Sequence, residues 1–154
     1  MNIFQDDPVE FNHASIVSNR NTILEAQTKI REVTISEFFS NHPVGYKILR
    51  YNNSSKERND RMIKILSNLL GLEYGWYRLF IQLLDHIFRT NMFTSLVRDS
   101  KTQVCSSYVA WGYYVIYKLK FNDVGWRSCD PDDIDDESLR NPNDWEILEY
   151  KGEK

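Results

Sequence analysis

The hydrophobic pattern of this chain changes its period once, near residue 54. Before that point, short runs rich in β-branched residues, such as HASIV (13–17) and TILEAQ (22–27), flank the turn-forming residues SNRN (18–21). Beyond it, apolar residues recur three and four positions apart, as an amphipathic helix requires. Because strands come first and helices follow, we predict an α+β fold in which an antiparallel sheet packs against helices.

The first third of the chain predicts strands. HASIV and TILEAQ predict a β-hairpin, and GYKILRY (45–51) alternates as a further strand does. The run KIREVTI (29–35) either continues the second strand or begins a third. Residues Ser36–Phe39 predict one helical turn, for which Ser36 is a candidate cap.

The remainder predicts three helices and an acidic tail. The first helix follows a cap at Ser54 or Ser55 and stops at Gly71. YRLFIQLLDHIF (77–88) predicts the second helix and CSSYVAWGYYVIYKLK (105–120) the third, with loop or broken structure between them. From about residue 128 we expect an irregular tail, interrupted by prolines, in which DWEILEY (144–150) could add a late strand.

Length and charge limit the domain count and the class of partner. A chain of 154 residues that is 42% hydrophobic predicts a single domain over 1–154 with its own core. The net charge of −3 and the lack of a Lys/Arg run argue against a nucleic-acid partner. The acidic N-terminus does not resemble a signal peptide, and no run is long and apolar enough to span a membrane, so we expect a cytoplasmic protein.

No cofactor or metal is predicted. The sequence contains no glycine-rich phosphate loop, no Cys-x-x-Cys pair and no His-x-x-x-His pair. The acidic run DPDDIDDE (130–137) lacks the glycine and the ligand spacing of a calcium loop, so we interpret it as a solvated loop. Two cysteines are too few for a disulfide framework, although Cys105 and Cys129 could pair in an oxidising compartment.

The chemistry candidate is Cys105, which lies where the most apolar predicted helix begins. A helix N-terminus favours a thiolate, because unpaired N–H groups and the helix dipole lower the thiol pKa there. The alternative is a small buried hydrophobe, the usual role of a free cysteine. A nucleophilic cysteine also needs a base, and of the three histidines His13, at the start of a strand with small neighbours, is the best placed.

The partner of His13 depends on the hairpin register. A loop over residues 18–20 places His13 opposite Glu25, and a loop over 19–21 places it opposite Gln27. Glu25 and Gln27 share one face of their strand, so either odd loop puts a polar acceptor beside the imidazole. A two-residue loop would place Ala26 there instead and send both polar side chains to the other face.

Five segments occur in a familiar order: FNHASIVSNRNTILEAQ, VTISEFFSNHPVGYKILRY, LGLEYGWYRLF, VCSSYVAWGYY and CDPDDI. Over about residues 11–135 the chain resembles the circularly permuted papain-like cysteine hydrolases related to NlpC-type peptidases, the YiiX/YebB-like group. The resemblance implies a permuted papain-like fold with Cys105 as nucleophile, His13 as general base and Glu25 as the residue that orients the histidine. It also implies that the backbone N–H of Cys105 helps to form an oxyanion hole.

Tyr74, Ser106 and Gln27 are further residues that could line such a site. Two departures from the family pattern stand out: DDP (6–8) precedes the histidine where the family's first strand carries a GD-(L/I) motif, and Ser107 replaces a common glutamate.

The expected activity is thiol-dependent cleavage of an amide, isopeptide or ester bond in a small peptide or acyl substrate, such as a cell-wall peptide. Acyl transfer on a related fold is one alternative. Another is an inactive relative that acts as a binding module, and a third is a structural relative whose aromatic groove near Trp76 and Trp111 holds a partner helix.

Overall fold

The computed structural model describes residues 13–41, 45–72 and 103–151. Within these ranges the fold is α+β and contains two antiparallel sheets, four α-helices and one 3₁₀ turn at Phe121–Asp123. The strands are β1 (Ser15–Val17), β2 (Thr22–Ala26), β3 (Ile30–Thr34), β4 (Tyr46–Tyr51) and β5 (Trp145–Lys151). The helices are α1 (Ile35–Asn41), α2 (Lys56–Ser67), α3 (Gln103–Tyr117) and α4 (Pro131–Arg140).

The predicted hairpin is confirmed, with the loop over residues 19–21. Ser15 pairs with Glu25 and Val17 with Ile23, and the backbone N–H of Ser18 donates to the carbonyl of Thr22 at 3.0 Å. The side-chain oxygen of Asn19 accepts from two backbone N–H groups within the turn, at 2.8 and 3.1 Å. This is the Asx-turn geometry that asparagine favours, and it explains why SNRN turns the chain with an odd-length loop.

The segment that follows forms its own strand and a short helix. β3 pairs antiparallel with β2, so the first sheet has the order β1-β2-β3. Helix α1 follows directly, and the Thr34 hydroxyl accepts from the backbone N–H of Glu37 at 3.1 Å. The cap of α1 is therefore Thr34, and the predicted cap Ser36 lies inside the helix.

Helix α2 begins as predicted. Ser55 has extended backbone angles and its side chain accepts from the N–H of Arg58, which satisfies one of the free donors of the first turn. The helix ends at Ser67, earlier than the predicted stop at Gly71. The chain then turns through Gly71, whose φ of +84° suits glycine.

Helix α3 is the centre of the fold because it packs on both sheets. One side joins the first sheet and α2 in a buried apolar cluster: Ile16, Leu24, Ala26, Ile30, Met62, Leu66, Tyr108 and Val109. Its other side joins β5 and the 3₁₀ turn in a second cluster: Ala110, Phe121, Cys129 and Trp145. Helices α2 and α3 approach closely at Gly112, where a Cβ atom would lie 3.0 Å from the side chain of Leu66.

The prediction of one sheet is corrected to two. β4 pairs with β5, far along the chain, and this two-stranded sheet forms no ladder with β1–β3 among the described residues. The aromatic cluster of Tyr51, Tyr113, Phe121 and Trp145 fills the space between this sheet and α3.

The prediction of an irregular C-terminal tail is wrong. Pro131 is the first residue of α4, a position where its missing N–H costs nothing. Asp130 and Asp133 form a reciprocal capping box, so the acidic run read as a solvated loop is the start of a helix. Lys47 of β4 forms a largely buried ion pair with Asp135, which attaches α4 to the second sheet. The late strand is confirmed as β5.

Four predictions lie outside the described residues: the second amphipathic helix over 77–88, the broken segment before α3, the groove residue Trp76 and the site residue Tyr74. The helices of the described ranges include none with the length and apolar character needed to cross a bilayer.

Candidate active site

Cys105 lies in the first turn of α3 and is almost completely buried, with 4% of its surface exposed. Burial alone would raise the pKa of its thiol. Hydrogen bonds to the sulfur from the His13 side chain and from the backbone N–H groups of Ala14 and Ser106 outweigh burial and hold the pKa below that of an ordinary thiol. The buried sulfur is therefore in an environment that favours the thiolate.

His13 lies two residues before β1, where the hairpin approaches the N-terminus of α3. Its Nε2 donates to Oε2 of Glu25 at 3.2 Å, and the imidazole is also hydrogen-bonded to the side chain of Cys105. Burial lowers the pKa of the imidazole, but the hydrogen bonds with Cys105 and Glu25 outweigh it and raise the pKa from 6.5 to about 9. The raised pKa of His13 and the lowered pKa of Cys105 both favour an imidazolium paired with a thiolate.

Glu25 lies in the middle strand of the first sheet with only 1% of its surface exposed. A buried carboxylate needs partners for both oxygens. Oε2 accepts from His13, and Oε1 accepts from Nε of Arg31 at 2.7 Å and contacts a terminal guanidinium nitrogen at 2.6 Å. Burial raises the pKa of Glu25, but these hydrogen bonds lower it below 4.5, so the carboxylate is charged at neutral pH.

Sequence reasoning missed Arg31. It lies directly opposite Glu25 in the β2–β3 pairing, because Ala26 pairs with Ile30 and the strands are antiparallel. The signal was available: in TILEAQTKIREV the Glu and Arg are six residues apart, symmetric about the turn that joins the two strands. KIREVTI predicts either a continuation of the second strand or a third strand, and only a third strand places Arg31 opposite Glu25.

Phe38 of α1 was also missed. Its ring stacks against the imidazole of His13, with centroids 6.0 Å apart and planes inclined by 30°. Phe38 contacts Phe39, and Phe39 in turn contacts Tyr46 of β4. This row of aromatic rings supports one face of the histidine and limits its rotation.

The remaining predicted site residues have different surroundings. Ser106 is fully buried, and its hydroxyl donates to the carbonyl of Cys129 at 2.6 Å, so the hydroxyl anchors α3 while the backbone N–H faces the sulfur. Gln27 is exposed, and its side-chain oxygen accepts from Arg31 at 3.3 Å. Tyr74 lies outside the described residues.

The departure at Ser107 is accommodated by the fold. The side chain is 2% exposed, and its hydroxyl donates to the carbonyl of Arg127 at 3.4 Å. A glutamate at this place would put a second carboxylate in the interior, so serine is the residue that this packing suits.

Cys129 is the other cysteine, and neither of the two forms a disulfide. Its side chain is completely buried, and burial raises the pKa of its thiol, assisted by the nearby carboxylates Asp133 and Asp130. The two thiols of the chain are therefore in opposite electrostatic environments, and only that of Cys105 favours a thiolate. No cluster of three or more metal-ligating side chains occurs in the part of the chain that the structure describes.

This arrangement contains the parts of nucleophilic catalysis: a thiol with a lowered pKa, an imidazole in contact with it, and a carboxylate that orients the imidazole. Comparisons with protein-family models, with curated proteins and with solved structures found no match.

Proposed function

We propose that the protein is a cysteine hydrolase with a circularly permuted papain-like fold, in which Cys105, His13 and Glu25 form the catalytic triad. The observation that carries this proposal is the chain of side-chain hydrogen bonds from the Cys105 thiol through His13 to the buried Glu25 carboxylate. These residues come from the segment before β1, from β2 and from the start of α3. A fold has no packing reason to bury such a polar chain beside a thiol.

The reaction begins with attack of the Cys105 thiolate on a carbonyl carbon of an amide, isopeptide or ester bond. The imidazolium of His13 then gives its proton to the leaving amine or alcohol as the carbon–heteroatom bond breaks, which leaves a thioester on Cys105. A water molecule, deprotonated by the now neutral His13, attacks the thioester and releases the acid. Glu25 keeps Nε2 protonated, so Nδ1 is the nitrogen that exchanges the proton with sulfur and substrate.

The start of α3 supplies the oxyanion-binding groups. Cys105 is the third residue of α3, so its backbone N–H belongs to the first four, which have no acceptor four residues earlier within the helix. That N–H group can donate to the developing oxyanion, and the positive end of the helix dipole adds to the stabilisation.

Turnover of defined substrates tests this proposal directly. Wild type, Cys105→Ala and Cys129→Ala are each incubated with muropeptides containing an isopeptide bond and with short-chain acyl esters. We expect turnover by wild type and by the Cys129 variant, a covalent acyl mass on the peptide containing Cys105, and neither in Cys105→Ala. Turnover that survives Cys105→Ala would contradict the proposal.

The partition of the acyl-enzyme separates hydrolysis from transfer. Adding an amine or alcohol acceptor leaves the yield of free acid unchanged for a hydrolase and diverts it to a new amide or ester for a transferase. Saturable binding of a peptide without turnover and without an acyl mass would instead support a binding module on this fold.

A further inference from the structure

Arg31 is bound to the buried carboxylate on the side opposite His13. Two of its guanidinium nitrogens contact the same oxygen of Glu25, at 2.7 and 2.6 Å, while the other oxygen faces the imidazole. Two charge-assisted donors stabilise the negative charge and hold this oxygen in place, and the hydrogen bond of the second oxygen to His13 completes the restraint on the carboxylate. The orientation of Glu25 toward His13 therefore depends on Arg31, which has no contact with the Cys105 thiol among the contacts described.

The position of Arg31 is itself determined by its surroundings. The cross-strand pairing places it opposite Glu25, and a terminal nitrogen also donates to Gln27 at 3.3 Å. The remaining terminal nitrogen lies 4.0 Å from a carboxylate oxygen of Glu37 on α1. Arg31 is thus positioned by contacts with the β2 side of the sheet and with α1. Helix α1 also carries Phe38, which stacks on His13.

The charges of the cluster balance only when Arg31 is included. With Cys105 as thiolate and His13 as imidazolium, Glu25 would leave one uncompensated negative charge in a buried place. Arg31 adds the second positive charge, so the active charge state is neutral overall. Among the neighbouring ionisable groups, Glu37 is half exposed and on the far side of Arg31, and the buried Cys129 remains a neutral thiol.

We infer that Arg31 is a positioning residue of this site, which holds Glu25 charged and aimed at His13 and thereby maintains the thiolate–imidazolium pair. The inference rests on the proposed function, since it assigns Arg31 a part in the same site. If Arg31 has this role, substituting it changes the reactivity of Cys105. Loss of an ion pair that only stabilises the fold would not.

The test measures the rate of Cys105 alkylation by iodoacetamide between pH 4.5 and 9.5, in a Cys129→Ala background. Loss of the Arg31 charge should raise the pKa of the thiol, and a rise of one unit lowers the rate well below that pKa by about tenfold. We therefore expect the pH profile of Arg31→Met to be displaced upward by about one unit, so that alkylation is about tenfold slower on the acidic limb of the profile and normal at pH 9.5. Arg31→Lys, which keeps the charge and loses the paired donors, should recover part of the rate.

The matched control is Arg50→Met. Arg50 also lies on a strand opposite a glutamate, Glu146, at 3.1 Å, but both side chains are exposed in the second sheet. This control should leave the pH profile unchanged. If Arg31→Met does not fold, Arg31→Gln replaces it, because glutamine keeps a donor for Glu25 without the charge.

The outcomes separate the two proposals. A wild-type Cys105 that reacts only above pH 8, like a free thiol, overturns the proposed function together with this inference. A wild type with high reactivity at pH 6 and an Arg31→Met profile that superimposes on it overturns the inference alone.

Discussion

His13 and Glu25 are hydrogen-bonded diagonally across the hairpin. Glu25 pairs with Ser15, and continuing that register by two residues sets His13 opposite Gln27, yet the imidazole Nε2 lies 3.2 Å from Glu25. Diagonal neighbours on one face are within reach of long side chains. Of the two candidates, the buried Glu25 is therefore hydrogen-bonded to the histidine. Gln27 is exposed, just after the end of β2.

The first prediction concerns the pH dependence of Cys105 alkylation. The raised pKa of His13, about 9, keeps the imidazolium beside the sulfur through neutral pH and favours the thiolate. Wild type should therefore be alkylated by iodoacetamide at pH 6, whereas His13→Ala should react only as the pH approaches about 8.5, the value for an ordinary thiol. Mass spectrometry of the alkylated peptide identifies the cysteine, and Cys129→Ala should behave as wild type.

The second prediction concerns stability in acid. The folded-state pKa of Glu25 is lowered, so its contribution to stability is complete above the unfolded-state value and disappears as pH falls through the folded-state value. Glu25→Gln should lower the free energy of unfolding by about 2 kcal/mol at pH 6, because hydrogen bonds to a charged group are lost.

Urea denaturation at pH 6, 5, 4 and 3 measures this difference. The difference in the free energy of unfolding between wild type and Glu25→Gln should decrease steadily below pH 4.5. A difference that stays constant down to pH 3 would mean that the carboxylate titrates alike in the folded and unfolded chains.

The third prediction concerns the close contact of α2 with α3. A side chain at Gly112 would meet Leu66 and Met62, with the nearest atom 3.0 Å from the added Cβ. Gly112→Val should destabilise the protein by about 1–3 kcal/mol through overpacking, measured as a shift of the urea midpoint. Gly125, whose added Cβ would meet no atom within 4 Å, is the matched control, and Gly125→Val should change stability by less than about 0.5 kcal/mol.

The fourth prediction concerns the cap of α4. Asp130 accepts from the backbone N–H of Asp133 at 2.9 Å, and Asp133 accepts from the N–H of Asp130 at 3.0 Å. Asp130→Ala should cost about 1 kcal/mol of stability, and Asp130→Asn should cost far less because asparagine caps equally well. Equal losses in the two variants, measured by thermal unfolding, would show that the charge matters more than the cap.

The local elements were determined by the sequence itself. The turn within SNRN, the serine cap of α2 and the apolar periodicity of α2 and α3 depend on near neighbours, so spacing alone predicts them. The sequence also identified Cys105 and His13 as candidate catalytic residues, because the start of a helix and the start of a strand are local features. Pro131 and the acidic run misled the prediction because a proline at a helix start and a proline in a loop look alike without the capping contacts.

Only the tertiary structure decided which groups meet. The register of β1 with β2 set His13 opposite Gln27, but the hydrogen bond runs diagonally to the buried Glu25. The register of β2 with β3 placed Arg31 opposite Glu25. The pairing of β4 with β5, nearly a hundred residues apart, made two sheets where one was predicted. These choices depend on burial: a charge in the interior needs its partners, and only the packing of distant segments determines which side chains are excluded from water together.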